Sequence, residues 1–119
     1  MTMSKSYKEI TGRITENAGK IGRARPKVMQ AFSGLSGAAL EEGVLDLKTK
    51  EFIALAIGLS KQCDGCIGFH VKKLIELGTT REEFSEVLGV CIYMGGGPAL
   101  MYSAEAMHAF DEFSVGQGA

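Results

Sequence analysis

Apolar residues recur along this chain at spacings of three and four, with no sustained alternation and few clusters of β-branched residues, a pattern that predicts helices and no strands. Tyr7, Ile10, Ile14 and Ala18 give a weakly amphipathic first helix from Ser4 to about Gly19, an outer helix or an arm reaching a neighbouring subunit. Pro26 suits the first turn of a second helix, where its missing N–H has no helical partner to lose. That helix directs Val28, Phe32, Leu35 and Ala39 inward and ends near Gly43, with the Ser33-Gly34 and Ser36-Gly37 pairs weakening its regularity. Asp46 is placed to cap a third helix, Leu47 to Lys61, whose middle from Phe52 to Leu59 is apolar on every side and therefore reads as buried all round. Ile67, Val71, Leu74 and Ile75, with Gly78 just beyond them, predict a fourth helix from about Cys63 to Leu77. Thr80 and Glu83 form a capping-box signature and open a fifth helix with Phe84, Val87, Leu88, Cys91 and Ile92 on its inner face. Gly95-Gly96-Gly97-Pro98 then breaks the chain, and a sixth helix runs from Pro98 to about Phe113; Ser114 to Ala119 reads as a frayed end.

The expected fold is all-α, about six helices, with residues 1–119 as a single domain, because 119 residues fill one modest core and are too few for two. The sixth helix spreads Leu100, Met101, Tyr102, Met107, Phe110 and Phe113 around most of its circumference, more than one short chain can cover, so a homo-oligomer is expected. Thirteen basic and 14 acidic residues leave the chain near neutral, which argues against nucleic acid or an anionic membrane as the main partner. The local cluster Arg13, Lys20, Arg23, Arg25 and Lys27 reads as a solvated face. The longest apolar run, Phe52 to Leu59, falls far short of the ~20 residues that span a bilayer, and Met1 to Lys8 lack the apolar core of a signal peptide. The expected location is the cytoplasm, with no membrane partner.

In a reducing compartment three cysteines do not make a disulfide framework, and a close CxxC points to redox or metal chemistry. The stretch Cys63-Asp64-Gly65-Cys66-Ile67-Gly68-Phe69-His70 is the chemical centre of the sequence. In a helix of about 100° per residue, residues four apart share a face, so Cys66 and His70 become neighbours one turn apart. The first turn offers unpaired N–H groups and the positive end of the helix dipole, and the imidazole can take a proton or pair with an anion; both favour the reactive thiolate. Cys66 and His70 fall at the border between the apolar face and the arc of Lys72, Lys73 and Glu76, whereas Phe69 falls on the polar arc, where it covers the site or meets another subunit.

Glu51, at the entrance of the apolar third helix, is either a solvated first-turn carboxylate or a buried one in need of a partner. Cys91 has no second cysteine or histidine near it in sequence and reads as a small core residue, and His108 reads as a surface or interface histidine. The triple glycine follows a helix and precedes no Lys-Ser/Thr, so it is a close approach or a hinge, not a phosphate loop. Several readings of the cysteine motif remain open at this point. A thioredoxin-like site would need a preceding strand, and covalent haem attachment would need His where Ile67 stands. A zinc site could draw on Cys63, Cys66 and His70 with Glu51 or His108, although one CxxC is half of the usual structural-zinc signature. The last alternative, two buried cysteines and a core histidine, would not require this spacing at a helix start.

Leu45-Asp46-Leu47-Lys48-Thr49-Lys50-Glu51, an apolar helix, Cys63-x-x-Cys66-x-x-x-His70, Gly78-Thr79-Thr80-x-Glu82-Glu83 and the Gly-Pro break together resemble the carboxymuconolactone decarboxylase superfamily, most strongly over residues 43–110. The cysteine pair points to its alkylhydroperoxidase-like branch. The resemblance implies a cofactor-free, thiol-dependent peroxidase in which Cys66 attacks a hydroperoxide, Cys63 resolves the sulfenic acid as a disulfide, and Glu51 with His70 relays the proton. It also implies an external dithiol reductant, a lipoyl-bearing protein in well-known relatives, and assembly as a trimer or hexamer. Some relatives carry another histidine between the cysteines where this chain has Asp64-Gly65, which shortens the relay. The alternatives in other classes are a carboxymuconolactone decarboxylase-like lyase, which does not depend on a CxxC pair, and a non-enzymatic zinc-binding oligomer.

Overall fold

In the computed structural model, which describes residues 5–115, five helical elements follow one another: α1 (Tyr7–Ala24), α2 (Pro26–Leu40), α3 (Leu47–Ser60), α4 (Asp64–Glu76) and α5 (Arg81–Ser114). No strand occurs among the described residues. The local signals account for most of the boundaries. Asp46 accepts a hydrogen bond from the Thr49 N–H and starts α3, while Thr80 and Glu83 close a reciprocal capping box at the start of α5. Gly78, at φ 82°, ends α4. There the Thr79 N–H reaches back to the Leu74 carbonyl and the Gly78 N–H to that of Ile75, the paired bonds that satisfy a helix end when the next residue turns left-handed.

The expected fifth and sixth helices are the two arms of α5. At Gly96 the backbone takes φ 71° and ψ −151°, a region closed to residues with a side chain, and the chain folds back on itself. Phe84 in the first arm then meets Phe110 in the second, their ring centroids 4.7 Å apart, and Arg81 pairs with Asp111 at 3.1 Å. By length and composition α5 could cross a bilayer, but this reversal splits it into arms that pack on each other. The core they complete contains Leu55 and Leu59 of α3, Ile67, Val71 and Leu74 of α4, and Phe84, Leu88, Ala106, Ala109 and Phe110 of α5.

Three expectations are corrected. α1 runs on to Ala24 and does not stop at Gly19, a mid-helix glycine costing only about 1 kcal/mol. It is an outer helix, mostly exposed, that is tied to the core through Tyr7. α2 turns none of the four residues expected inward to the core, with Phe32 and Leu35 each 65% exposed and Val28 and Ala39 also exposed, because it packs only along α1 and α3. α3 is not buried all round. One stripe, Glu51, Leu55, Gly58 and Leu59, is inside, while Ile53 and Ile57 face outward beside Val90 and Met94. The expected start at Ser4 and the frayed residues 116–119 lie outside the described residues.

Candidate active site

α3 and α4 form a tight antiparallel hairpin, and its turn delivers the cysteines. The Cys63 N–H donates to the Gly58 carbonyl and the Gln62 N–H to the Leu59 carbonyl, at 3.0 and 2.9 Å, with Gln62 left-handed at φ 57°. A residue with a Cβ pays about 1–2 kcal/mol for that conformation, so the reversal is held by its surroundings. It makes Cys63 the N-cap of α4, one position earlier than a first-turn residue. The Cys66 N–H donates to the Cys63 sulfur at 3.1 Å. Cys63 and Cys66 are joined as a disulfide with their Cα atoms 5.2 Å apart, and both residues are half-buried.

Cys66 and His70 both face the inner stripe of α3. A methyl group placed on Gly58 would lie 2.6 Å from Cys66 Cβ and 3.6 Å from its sulfur, so α4 can approach this closely only where α3 has no side chain. Seven residues before Gly58, on the same face, Glu51 is 3% exposed and its Oε1 lies 2.6 Å from His70 Nδ1. A carboxylate only accepts, so the ring nitrogen donates to it, and Nε2 has no hydrogen-bond partner among the described residues. The open question about Glu51 thus resolves to the buried, partnered carboxylate. A buried acid, an imidazole it orients and a dithiol one helical turn away can together move a proton to or from a reacting sulfur.

The other expected positions fall outside this group. Cys91 is a buried residue of α5 whose thiol is pushed up by burial. It lies at the floor of an apolar groove of about 500 Å³ between α3 and the first arm of α5, lined also by Phe52, Ile53, Ile57, Val90 and Met94. His108 donates from Nε2 to the Lys5 carbonyl at 2.6 Å. Phe69 is exposed beside Thr11, Lys72 and Phe113 in a separate cavity of about 430 Å³. No three His, Cys, Asp or Glu side chains converge as a metal cluster among the described residues. Sequence reasoning missed Gly58, whose only signal was a glycine inside an apolar helix, and Asp64, which accepts from Tyr7 across 57 positions of sequence.

The sequence matches the carboxymuconolactone decarboxylase family over residues 26–109. The chain belongs to this family. A crystal structure of a family member from Legionella pneumophila, in its apo form, is 53% identical and superposes with a TM-score of 0.89 over 91% of this chain and 96% of that one. An uncharacterised protein of Cupriavidus necator is 39% identical over 95% of this chain and 100% of its own length. One of Haemophilus influenzae is 35% identical over 91% and 96% respectively. The expected family and the all-helical fold are both borne out.

Proposed function

We propose that this member of the family is a thiol-dependent oxidoreductase that reduces hydroperoxides at the Cys63/Cys66 pair. The observation that carries the reading is the 2.6 Å hydrogen bond between buried Glu51 and half-buried His70 on the α3 stripe against which Cys66 packs. In the reduced protein the imidazole takes the Cys66 proton, and the thiolate attacks one peroxide oxygen. The O–O bond breaks, Cys66 becomes a sulfenic acid, and the alkoxide leaves as an alcohol with the proton returned by His70. Cys63, deprotonated in turn, displaces hydroxide from the Cys66 sulfur, forming the disulfide and water. The sum is dithiol plus ROOH giving disulfide, ROH and water. An external dithiol restores the pair by thiol–disulfide exchange; a lipoyl-bearing protein is one such donor. No cofactor is needed, and the expected setting is a homo-oligomer in the cytoplasm.

The lyase reading draws on the family's name, but a ring-opening or decarboxylation site has no use for a linked cysteine pair, and the zinc reading would need both sulfurs free of each other. Intact mass before and after peroxide separates them. The wild type, reduced beforehand, should lose two hydrogens and two free thiols, and Cys66→Ser should lose this response while Cys63→Ser stops at a sulfenic acid, heavier by about 16 mass units for one oxygen. Peroxide turnover by Cys66→Ser at the wild-type rate would overturn the proposal.

A further inference from the structure

The residues between the two cysteines are tied to the start of the chain. Asp64, at the first position of α4, accepts from the Tyr7 hydroxyl at 3.0 Å and from the Lys5 ammonium at 3.1 and 3.2 Å. Tyr7 is 0% exposed, so its hydroxyl sits at the end of a buried ring and needs an acceptor there. Burial first, and then the hydrogen bond to Asp64, push this phenol far above its usual range, which keeps it a donor. The segment is anchored from behind. Glu112 accepts from the Ser6 hydroxyl and the Tyr7 N–H, both at 2.7 Å, and His108 holds the Lys5 carbonyl. α1 then lies along α4 over two glycines: a Cβ on Gly65 would meet Ile14 at 2.7 Å, and one on Gly68 would meet Thr11 at 2.6 Å.

We propose that Tyr7 and Asp64 are positioning residues of the redox pair: the buried phenol, with Lys5, holds and partly neutralises a carboxylate set between the two cysteines, and so sets how readily the disulfide is reduced. The inference rests on reading Cys63 and Cys66 as a redox couple, but it does not need peroxide to be the oxidant. Reduction adds two electrons and two protons to the disulfide, and near neutral pH one of the resulting thiols loses its proton to become the nucleophile. That anion forms at the N-terminus of α4, where the helix dipole favours it and the Asp64 carboxylate opposes it. Hydrogen bonds from Tyr7 and Lys5 draw charge away from the carboxylate and weaken the opposition. The groups facing Asp64 are Lys5 and Tyr7, both also in the field of Glu105 and Tyr102 of α5; Cys63 precedes it and Cys66 follows two positions on, and the α3 stripe against which Cys66 packs carries Glu51, paired with His70.

Charge and shape predict different signs, which makes the proposal testable. Asp64→Asn removes the opposing charge, so thiolate absorbance in the reduced protein should appear at lower pH by about half a unit to one unit. In a glutathione redox buffer (protein disulfide plus two reduced glutathione giving protein dithiol plus oxidised glutathione) the equilibrium should shift several-fold toward dithiol. Tyr7→Phe keeps the buried ring and leaves the carboxylate less compensated, so both readouts should move the opposite way. In the double variant Tyr7→Phe should add little to Asp64→Asn, because it acts through Asp64. Lys5→Ala, at an exposed position, repeats the Tyr7→Phe direction without touching the core. Shifts of the same sign in Asp64→Asn and Tyr7→Phe, or none in either, would overturn the proposal. A protein that shows these shifts but no peroxide turnover would keep this inference and lose the peroxidase reading.

Discussion

A methyl group at position 58 has nowhere to go, because the atom it would meet is Cys66 Cβ, fixed to the backbone of α4 and unable to swing aside. Gly58→Ala must therefore part α3 from α4 at the cysteines. Overpacking of this kind costs about 1–3 kcal/mol, and the displacement should also slow peroxide-driven thiol loss. Urea unfolding alongside the rate of that loss checks both; unchanged values would mean that the two helices do not meet so closely at Cys66. The contrast between Gly58 and His70 shows what a sequence makes legible at this scale. Cys66 and His70 could be placed on one face by counting, since four positions along one helix is a local geometry. Glu51 could not, because its partner lies 19 positions away and the pairing exists only once α3 has folded against α4. Its role entered through the family resemblance, and the structure then supplied the hydrogen bond.

Elements were legible where a local group ends them and obscure where packing decides. The Asp46 cap, the Thr80–Glu83 box and the glycine break before Pro98 all stand where the sequence puts them. The placement of α1 does not follow from its own apolar pattern, because its first residues are held by Glu112 on α5. Burial alone would raise the Glu112 carboxyl, but hydrogen bonds from the Ser6 hydroxyl and the Tyr7 and Lys8 N–H groups, with His108 nearby, outweigh burial and hold it below its usual range. A depressed carboxyl contributes stability that is complete above its unfolded value of 4.5 and disappears as pH falls through the lower folded value. Docking of α1 should thus weaken from about pH 4.5 downward. Glu112→Gln should cost on the order of 1 kcal/mol at neutral pH, the scale of a lost helix cap. Melts of the two proteins across pH test this: their difference should shrink in acid, and a constant difference would remove Glu112 from that role.

A compact chain of this length has a radius of gyration of about 13.5 Å, whereas this one measures 14.9 Å, with extents of 45 × 38 × 33 Å. α2 contributes no buried residue and leaves Val28, Phe32 and Leu35 exposed. α3 and α5 expose Ile53, Ile57, Val90 and Met94 along the apolar groove. The chain therefore carries an apolar helix without a groove and an apolar groove without a helix, with a formal net charge of only −1 to keep copies apart. The sequence reading placed the excess apolar surface on the sixth helix, where Leu100 and Met101 are exposed but Phe110 and Phe113 are buried, and missed the exposed residues of α2. An amphipathic pattern shows that one face will be covered, and does not say whether the cover comes from the same chain. Sedimentation of the wild type should give a homo-oligomer, and Phe32→Asp combined with Leu35→Asp should shift it toward monomer. Because both side chains are solvent-exposed within one chain, the charges should leave its helical content intact, within about 0.5 kcal/mol per site for the single subunit. A wild type that sediments as a monomer, or a double variant that remains assembled, would place the oligomer contact elsewhere or remove it.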